Sequence, residues 1–204
     1  MAITTKTPVI KQSVGAQYAC FATATSPALV YETAVEKTET VKSIKTTENS
    51  ESVAVRASGK DYKTVSKVSS VEIAVEVVAF VAETLAKMRG ETVDVGGLVL
   101  SGAQADRPYF AYGKVVQLDG GKVRYEWFPK CQLVSNTDDI STSESSFSEQ
   151  NDTLTIKAYA FDTAGNVKVY VQSDMTTFPA GLTEAEFFAA PILNAAGLTA
   201  ANGA

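Results

Sequence analysis

The sequence predicts a mainly β protein with one principal helix, and three stretches of the chain lead to this fold class. Residues 107–134 are predicted to form a long hairpin, because a turn at Asp119 to Gly121 separates two arms rich in Tyr, Phe, Val and Trp. Residues 69–77 alternate apolar and polar side chains, which is typical of a half-buried strand. Residues 78–89 change to the apolar spacing of a helix. One helix packed on a sheet is the architecture that these patterns favour.

The long hairpin is the most informative of the three stretches. Each arm has roughly ten residues, whereas strands usually have about five or six. Gly120 and Gly121 tolerate a positive φ, and Asp119 suits the start of a turn. Tyr125 and Trp127 fall on one face of the second arm, so we predict that they fill the core.

The strand and the helix supply the other predicted core positions. Val71, Ile73 and Val75 share one face of the strand, and Val77, Phe80, Val81, Leu85 and Met88 lie near one stripe of the helix. Gly90 follows two basic residues and suits a helix C-terminus. The predicted core comprises Val71, Ile73, Val75, Phe80, Leu85, Tyr125, Trp127, Leu154 and Ile156.

Shorter elements are predicted on both sides of this central part. Strands are expected over residues 14–23, 28–35, 38–46 and 153–160, with one bulged strand at 92–100. A turn at 164–166 is expected to return the 153–160 strand into a second hairpin with Val167, Val169 and Val171. Thr183 is expected to cap a short helix over 183–193, with Glu184 and Glu186 in its first turn.

We expect a single domain over residues 1–204 with several less regular parts. Residues 1–13 form a predicted N-terminal arm, and residues 194–204 a loose C-terminal tail. Residues 47–67 form a long excursion that is either a strand pair or a flexible loop, with a turn signal at 58–61. Residues 135–152 are polar and serine-rich, and Ile140 and Phe147 are the only anchors for a weak edge strand there.

The composition argues against most catalytic chemistry. The chain has no histidine, which removes the commonest general base and transition-metal ligand. Cys20 and Cys131 lie far apart, and we predict free thiols on strands rather than a disulfide. The net charge of −5 disfavours ordinary nucleic-acid binding, which needs a basic face.

Carboxylates are the remaining candidates for chemistry. Asp138, Asp139 and Glu144 do not have the spacing of a calcium loop, and a solvated acidic loop is the favoured interpretation. A hydrolase that uses these carboxylates is the weakest hypothesis. We therefore predict no enzymatic activity, no cofactor and no metal site. No apolar run is long enough for a membrane span, and no secretory signal is present, so we expect synthesis in a host cytoplasm.

The order of elements and the residues of the long hairpin carry a family resemblance. RPYFAYGKVV and GGKVRYEWFPKCQL, then a polar segment and DTLTIKAYAF, are similar to the major tail proteins of long-tailed bacteriophages, with the so-called phi-thirteen type the nearest. The matching positions are Pro108, Tyr109, Ala111, Gly113, Tyr125, Trp127, Lys130 and Leu154. The resemblance covers about residues 69–174. The serine-rich residues 135–152 and the short alanine-rich ending depart from it.

The resemblance implies a structural virion protein of a non-contractile tail. Its subunits would be β-sandwiches or half-barrels with extended arms, whose sheets join into a continuous β-barrel in a hexameric ring. Rings would stack into a tube through which double-stranded DNA passes without specific binding. The implied partners are other copies of the chain, a tape-measure protein, a tail terminator and distal tail proteins. The resemblance brings no catalytic residues.

Assembly residues are predicted at the two turns and at exposed aromatic positions, and we expect the 47–67 excursion to bridge adjacent rings. They are Ser58, Gly59, Lys60, Asp61, Tyr62, Tyr109, Tyr112, Asp119, Gly120 and Gly121. The alternative hypothesis is a β-sandwich binding module, such as an adhesin or receptor-binding domain. It rests on exposure of Tyr109, Tyr112 and Phe128.

Overall fold

The computed structural model describes residues 7–102, 106–138, 140, 142 and 150–203. Its strands are β1 (Lys11–Ala24), β2 (Val30–Tyr31), β3 (Glu36–Thr38), β4 (Val41–Ala57), β5 (Lys60–Val77), β6 (Thr92–Val93), β7 (Val99–Leu100), β8 (Phe110–Leu118), β9 (Lys122–Thr137), β10 (Asp152–Tyr159) and β11 (Val169–Gln172). Its helices are α1 (Ala82–Arg89), α2 (Glu184–Phe187) and α3 (Ala195–Asn202). The protein is therefore mainly β, as predicted. None of the helices in the described ranges is long and apolar enough to cross a membrane.

Antiparallel pairing joins nine of the strands into one sheet. The order is β2-β1-β8-β9-β10-β5-β4, with β3 also on β1 and β11 also on β9. Strand β9 is the centre of this sheet, because one of its edges pairs with β8 and the other is divided between two partners. Its first part pairs with β11, and its last part pairs with β10. Strands β6 and β7 form a separate two-stranded hairpin.

The sheet has a hydrophobic core on each face, and alternation along β1 shows how the two are built. Ala19 and Phe21 face the core that lies under α1, whereas Tyr18 and Cys20 face the core that lies under α2. We call these sides the α1 face and the α2 face. Strands β1, β8 and β9 are thus covered on both sides, which explains their nearly continuous apolar sequences.

Most of the predicted core positions are buried on one of the two faces. Val71, Ile73, Val75, Leu154 and Ile156 lie in the α1-face core, with Phe80 and Leu85 partly buried against it, and Tyr125 and Trp127 lie in the α2-face core. Strand β5 has the predicted alternation, since Val71 to Val77 are buried at every second position. Helix α1 ends as predicted at Gly90, where φ is 72° and the backbone N–H bonds to carbonyls of the last turn.

Helix α1 is shorter than the sequence indicated. It begins at Ala82, and Val81 is extended and 52% exposed. The apolar stripe that predicted an earlier start included Val77, which instead ends β5. Thr84, Ala86 and Met88 are the buried residues of the helix. The error arose because the strand period and the helix period overlap at the junction.

Three further predictions differ from the structure. Residues 92–100 form two strands around a turn, not one bulged strand. Strand β11 pairs with β9 and not with β10, because the turn at Asp162 to Asn166 carries the chain to another part of the sheet. The C-terminal tail contains α3, whose N-cap residue Asn194 accepts a hydrogen bond from the Gly197 N–H at its side-chain oxygen.

The predicted weak edge strand in residues 135–152 differs as well. Ile140 is exposed and outside any strand, while Phe147 lies outside the described residues.

The long excursion is a strand pair. Strands β4 and β5 pair along their lengths, from Val41 with Val77 to Ala57 with Lys60. Ser58 and Gly59 form the turn, and both have a positive φ, 54° and 76°. Two positive φ values in a two-residue loop match the right-handed twist of a hairpin.

Candidate assembly surfaces

The outer half of the β4–β5 hairpin projects from the sheet, and we call residues 50–68 the β4–β5 arm. Strand β10 pairs with β5 only from Ser70 to Val77, so among the described residues the arm's strands pair only with each other. About nine residues per strand correspond to roughly 30 Å of length. Tyr62 is 79% exposed near the tip, and Val55 is 47% exposed. The arm has the length and the apolar side chains of a contact element, and in the described residues its base packs on the α1-face core through Val68 while its tip is exposed.

The predicted assembly residues of this arm lie together at its tip. Ser58, Gly59, Lys60, Asp61 and Tyr62 are all exposed. The Arg56 Nε lies 2.8 Å from the Asp61 Oδ1, which closes the turn with an exposed ion pair. Such a pair adds at most about 1 kcal/mol of stability.

The turn of the β8–β9 hairpin is a second exposed site. Asp119, Gly120 and Gly121 form a 3-10 turn in which Gly120 has a φ of 71°. The N-terminal part of the chain packs against this turn, since the Gln12 Nε2 donates to the Asp119 Oδ1 at 3.0 Å. The Asp119 N–H donates to the Ile10 carbonyl at 2.8 Å. The predicted assembly residues at this turn are thus on a different hairpin from those of the β4–β5 arm. The two hydrogen bonds of Asp119 hold the start of β1 against the turn.

Two of the aromatic residues that were expected at the surface lie in the core. Tyr112 is 1% exposed and donates from its hydroxyl to the Gln17 Oε1 at 3.0 Å, and Phe128 is fully buried. Tyr109 is half-buried, with its ring edge-on to Tyr159. Tyr112 was predicted to be exposed, but its side chain is buried, because both faces of β8 are covered. The binding-module alternative therefore loses two of the three exposed rings on which it rested.

The Gly113 backbone on β8 lies so close to Phe188 and Trp127 that these rings cover the α2 face directly. A Cβ on Gly113 would lie 2.7 Å from the Phe188 Cε1 and 3.0 Å from the Trp127 Cε3. The absent side chain lets Phe188 pack directly on β8 and stack against Tyr18, with ring centroids 3.9 Å apart. The Trp127 Nε1 donates to the Phe187 carbonyl at 3.1 Å. These contacts fix α2 and the residues after it on the long hairpin.

The helix that carries these rings begins as the sequence predicted. The Thr183 hydroxyl accepts from the Glu186 N–H, and the Glu186 carboxylate accepts from the Thr183 N–H at 2.7 Å. These hydrogen bonds lower the pKa of Glu186. The reciprocal pair satisfies two helix-end donors and positions Phe187 and Phe188.

A buried ion pair joins β8 to β9 and was missed by sequence reasoning. The Lys114 Nζ lies 3.2 Å from the Glu126 Oε2 and donates to the Thr46 Oγ1 at 2.8 Å. It lies beside a polar cleft of about 440 Å³ between β4, β1 and β8. Burial lowers the pKa of Lys114, while the charge of Glu126 opposes that effect. The only sequence signal was a lysine inside the apolar run of β8.

The two cysteines are free and buried, as predicted. Cys20 lies on β1 and Cys131 on β9. Burial raises the pKa of the Cys20 thiol to about 11 and also raises that of Cys131. Neither thiol is a reactive nucleophile at neutral pH, because the thiolate is the reactive form.

The structure describes one of the three acidic candidates and leaves the other two outside its described residues. No group of three or more His, Cys, Asp or Glu side chains is placed to hold a metal ion among those residues. Asp138 is exposed, and Asp139 and Glu144 lie outside the described residues.

The comparisons with known proteins identify a family. The family model described as phage tail tube protein matches residues 26–190, so the chain belongs to the phage tail tube protein family. That family is structural and not enzymatic, and its members are parts of the multi-subunit tail of the virion. The expected phi-thirteen type stays a prediction.

The comparisons with curated proteins and with solved structures add little to the family assignment. No curated protein matches. Among solved structures, the chain is similar to a chain in a cryo-EM structure of the anti-feeding prophage baseplate, which was 6-fold symmetrised. The identity is 10% and the TM-score 0.45, with 84% of this chain and 100% of that chain covered.

Proposed function

We propose that the protein is the tail tube subunit whose copies form stacked hexameric rings around a channel for DNA delivery. In each ring the open sheets of neighbouring subunits pair edge to edge into one continuous β-barrel. The tape-measure protein, the tail terminator and the distal tail proteins are its expected partners. The chain is made in the host cytoplasm and then enters the virion tail.

The observation that carries this proposal is the β4–β5 arm. A two-stranded hairpin is at best marginally stable by itself in water, so an arm of about 30 Å needs a neighbour. Residues 58–62 at its tip are exposed and include Tyr62. In a stack of rings such an arm reaches the next ring, and its apolar side chains are buried there.

The free edges of the sheet support closure within a ring. The path of the main sheet runs from β2 to β4, and in the described ranges neither end strand has a partner on its outer edge. Unpaired backbone groups on a strand edge favour pairing with another chain. A head-to-tail contact that closes on itself gives a ring without edges.

The charge of the chain suits a conduit for DNA. The net charge is −5, and duplex DNA carries a negative charge about every 1.7 Å. An acidic chain therefore provides little non-specific affinity for the passing duplex.

Electron microscopy of the purified protein tests the proposal directly. Stacked six-fold rings are expected, and a chain that stays monomeric at high concentration, even with tail initiation components, contradicts it. The arm is tested by replacing residues 50–69 with Asn-Gly, which preserves the pairing of Asn49 with Ser70. This variant should fold but form no tubes.

The matched control keeps the arm and changes only its turn. Ser58→Asn gives the original tip the same Asn-Gly turn, since residue 59 is already glycine, and tube formation should be unchanged because the strands of the arm are retained. If the shortened chain forms tubes of normal length and stability, the arm does not bridge rings.

A further inference from the structure

The β6–β7 hairpin is an apolar projection that buries none of its large side chains. Every residue from 92 to 100 is exposed. Val95 is 98% exposed, and Leu98 and Leu100 are 60% and 56% exposed. An apolar cluster of this kind on a soluble chain indicates a contact surface.

The projection is nevertheless an ordered hairpin. The Asp94 N–H donates to the Leu98 carbonyl at 2.7 Å, and the Gly97 N–H donates to the Asp94 carbonyl at 3.1 Å. The Asp94 Oδ1 also accepts from the Val95 N–H at 2.7 Å. These bonds hold Val95 and Leu98 in fixed positions at the tip.

A matching surface lies along β11. Among the described residues, β11 pairs only with β9, so its other edge has no strand partner, although the Gln172 carbonyl accepts from the Met175 N–H at 3.0 Å. An apolar groove of about 190 Å³ lies between β11 and α3, lined by Val169, Val171, Ile192 and Leu198. A free strand edge beside an apolar groove is the arrangement to which an added strand binds.

One cationic side chain lies beside β11. The Arg124 guanidinium lies over the Tyr170 ring of β11, 5.6 Å from its centroid, and lies 3.5 Å from the Glu126 Oε1 on the side of the polar cleft. Asp94 brings an exposed carboxylate to the tip of the β6–β7 hairpin. An exposed carboxylate at this tip affects the orientation of a contact more than its strength.

One chain cannot bring these two surfaces together. The hairpin follows α1, whose Arg89 donates to the Asn136 Oδ1 at 3.1 Å near the end of β9. Strand β11 pairs with β9 from Arg124 to Trp127, nine residues earlier, and its Val169 and Val171 side chains pack on the α2-face core. At about 3.3 Å per residue the two sites are roughly 30 Å apart.

We propose that the β6–β7 hairpin of one copy docks on β11 and the adjoining groove of a second copy. The contact is head-to-tail, because different surfaces of the two copies meet, and it can therefore propagate from subunit to subunit. This inference rests on the proposed tube function and names one contact within it.

Cysteine cross-linking is the sharpest test, because the native thiols are buried. Leu98→Cys and Tyr170→Cys variants are made separately, mixed, assembled and oxidised. A disulfide-linked dimer is expected only from the mixture. A dimer from Leu98→Cys alone shows contact between two hairpins and overturns the proposal, and so does an assembled mixture without cross-links.

Charge substitution provides the second measurement. Val95→Asp with Leu98→Asp should raise the protein concentration needed for tube formation at least tenfold, whereas Ile140→Asp should leave it unchanged. Ile140 is a suitable control because it is 76% exposed. If wild-type protein forms tubes and the double variant forms them equally well, the docking is wrong and the tube function stands. If wild-type protein forms no assembly, both proposals fail.

Discussion

The two long hairpins of the main sheet have opposite environments. The β8–β9 hairpin is covered on both faces, and Trp127, Phe128 and Phe110 are fully buried. The β4–β5 hairpin is covered only near its base, and its outer half has exposed residues such as Tyr62 and Val55. Both hairpins have glycine in the turn and strands longer than usual.

The difference shows that strand length alone does not identify an assembly element. The β8–β9 hairpin is long because it is the centre of the subunit and pairs with β1, β10 and β11. The β4–β5 hairpin is long because it leaves the subunit. Stability should therefore depend on the first hairpin and assembly on the second.

The largest effect is expected at Trp127, which anchors the buried hairpin. Trp127→Ala removes a fully buried ring and the hydrogen bond to the Phe187 carbonyl. We expect a loss of about 3–5 kcal/mol in the free energy of unfolding. Urea denaturation followed by circular dichroism measures it. A loss below about 1 kcal/mol would show that the α2 face does not stabilise the subunit.

The buried ion pair is expected to give the next largest effect. Glu126→Gln leaves the Lys114 ammonium without its counterion and should cost about 3 kcal/mol. Combining Glu126→Gln with Lys114→Met removes the isolated charge and should recover most of the loss. Denaturant unfolding of the single and double variants measures both changes. Equal stability of the two variants would mean that Lys114 is not held in a desolvated site.

A smaller loss is expected at Gly113, where Phe188 and Trp127 approach the strand. Gly113→Ala forces these rings to move and should cost about 1–3 kcal/mol. Gln117→Ala on the same strand is the control, since Gln117 is exposed, and it should change stability by less than about 0.5 kcal/mol. The thermal midpoints of the two variants test the difference. Wild-type stability of Gly113→Ala would contradict the close packing.

The smallest effect on stability is expected at the tip of the β4–β5 arm. Tyr62→Ala should change the free energy of unfolding by less than about 0.5 kcal/mol, because its side chain is exposed. Tyr125→Ala is the matched control, since Tyr125 is 6% exposed and its loss should be far larger. The free energies of unfolding of both variants are measured on the monomer by urea denaturation. Tube yield is measured separately by sedimentation. If Tyr62→Ala unfolds as readily as Tyr125→Ala, the arm is part of the folded core.

Local signals in the sequence predicted the elements well. The alternation of Val71, Ile73 and Val75 predicted a strand, Gly90 predicted the end of α1, and Thr183 predicted the start of α2. The resemblance carried by Gly113 and Trp127 predicted the family that the comparison confirmed. These signals were sufficient because caps, turns and periodicity depend on neighbouring residues.

Strand pairing and burial, which depend on residues distant in sequence, were predicted less well than the secondary-structure elements. The pattern of Val169 and Val171 predicted a strand but gave it the wrong neighbour, since pairing with β9 rather than β10 depends on the path of the chain. The predicted exposure of Tyr112 was wrong for a similar reason, because α1 and α2, which are distant in sequence, cover the two faces of β8. The local alternation of apolar and polar residues does not determine which strand lies at an edge of the sheet or which distant element covers a strand.

The sequence by itself determined that this is a mainly β chain without histidine chemistry, with a long central hairpin and a second excursion around Ser58 and Gly59. The tertiary structure alone decided which hairpin is core and which projects. It also placed Lys114 beside Glu126 and β11 next to α3. The physical reason is that burial, ion pairing and strand edges depend on residues far apart in sequence, which only the folded chain brings together.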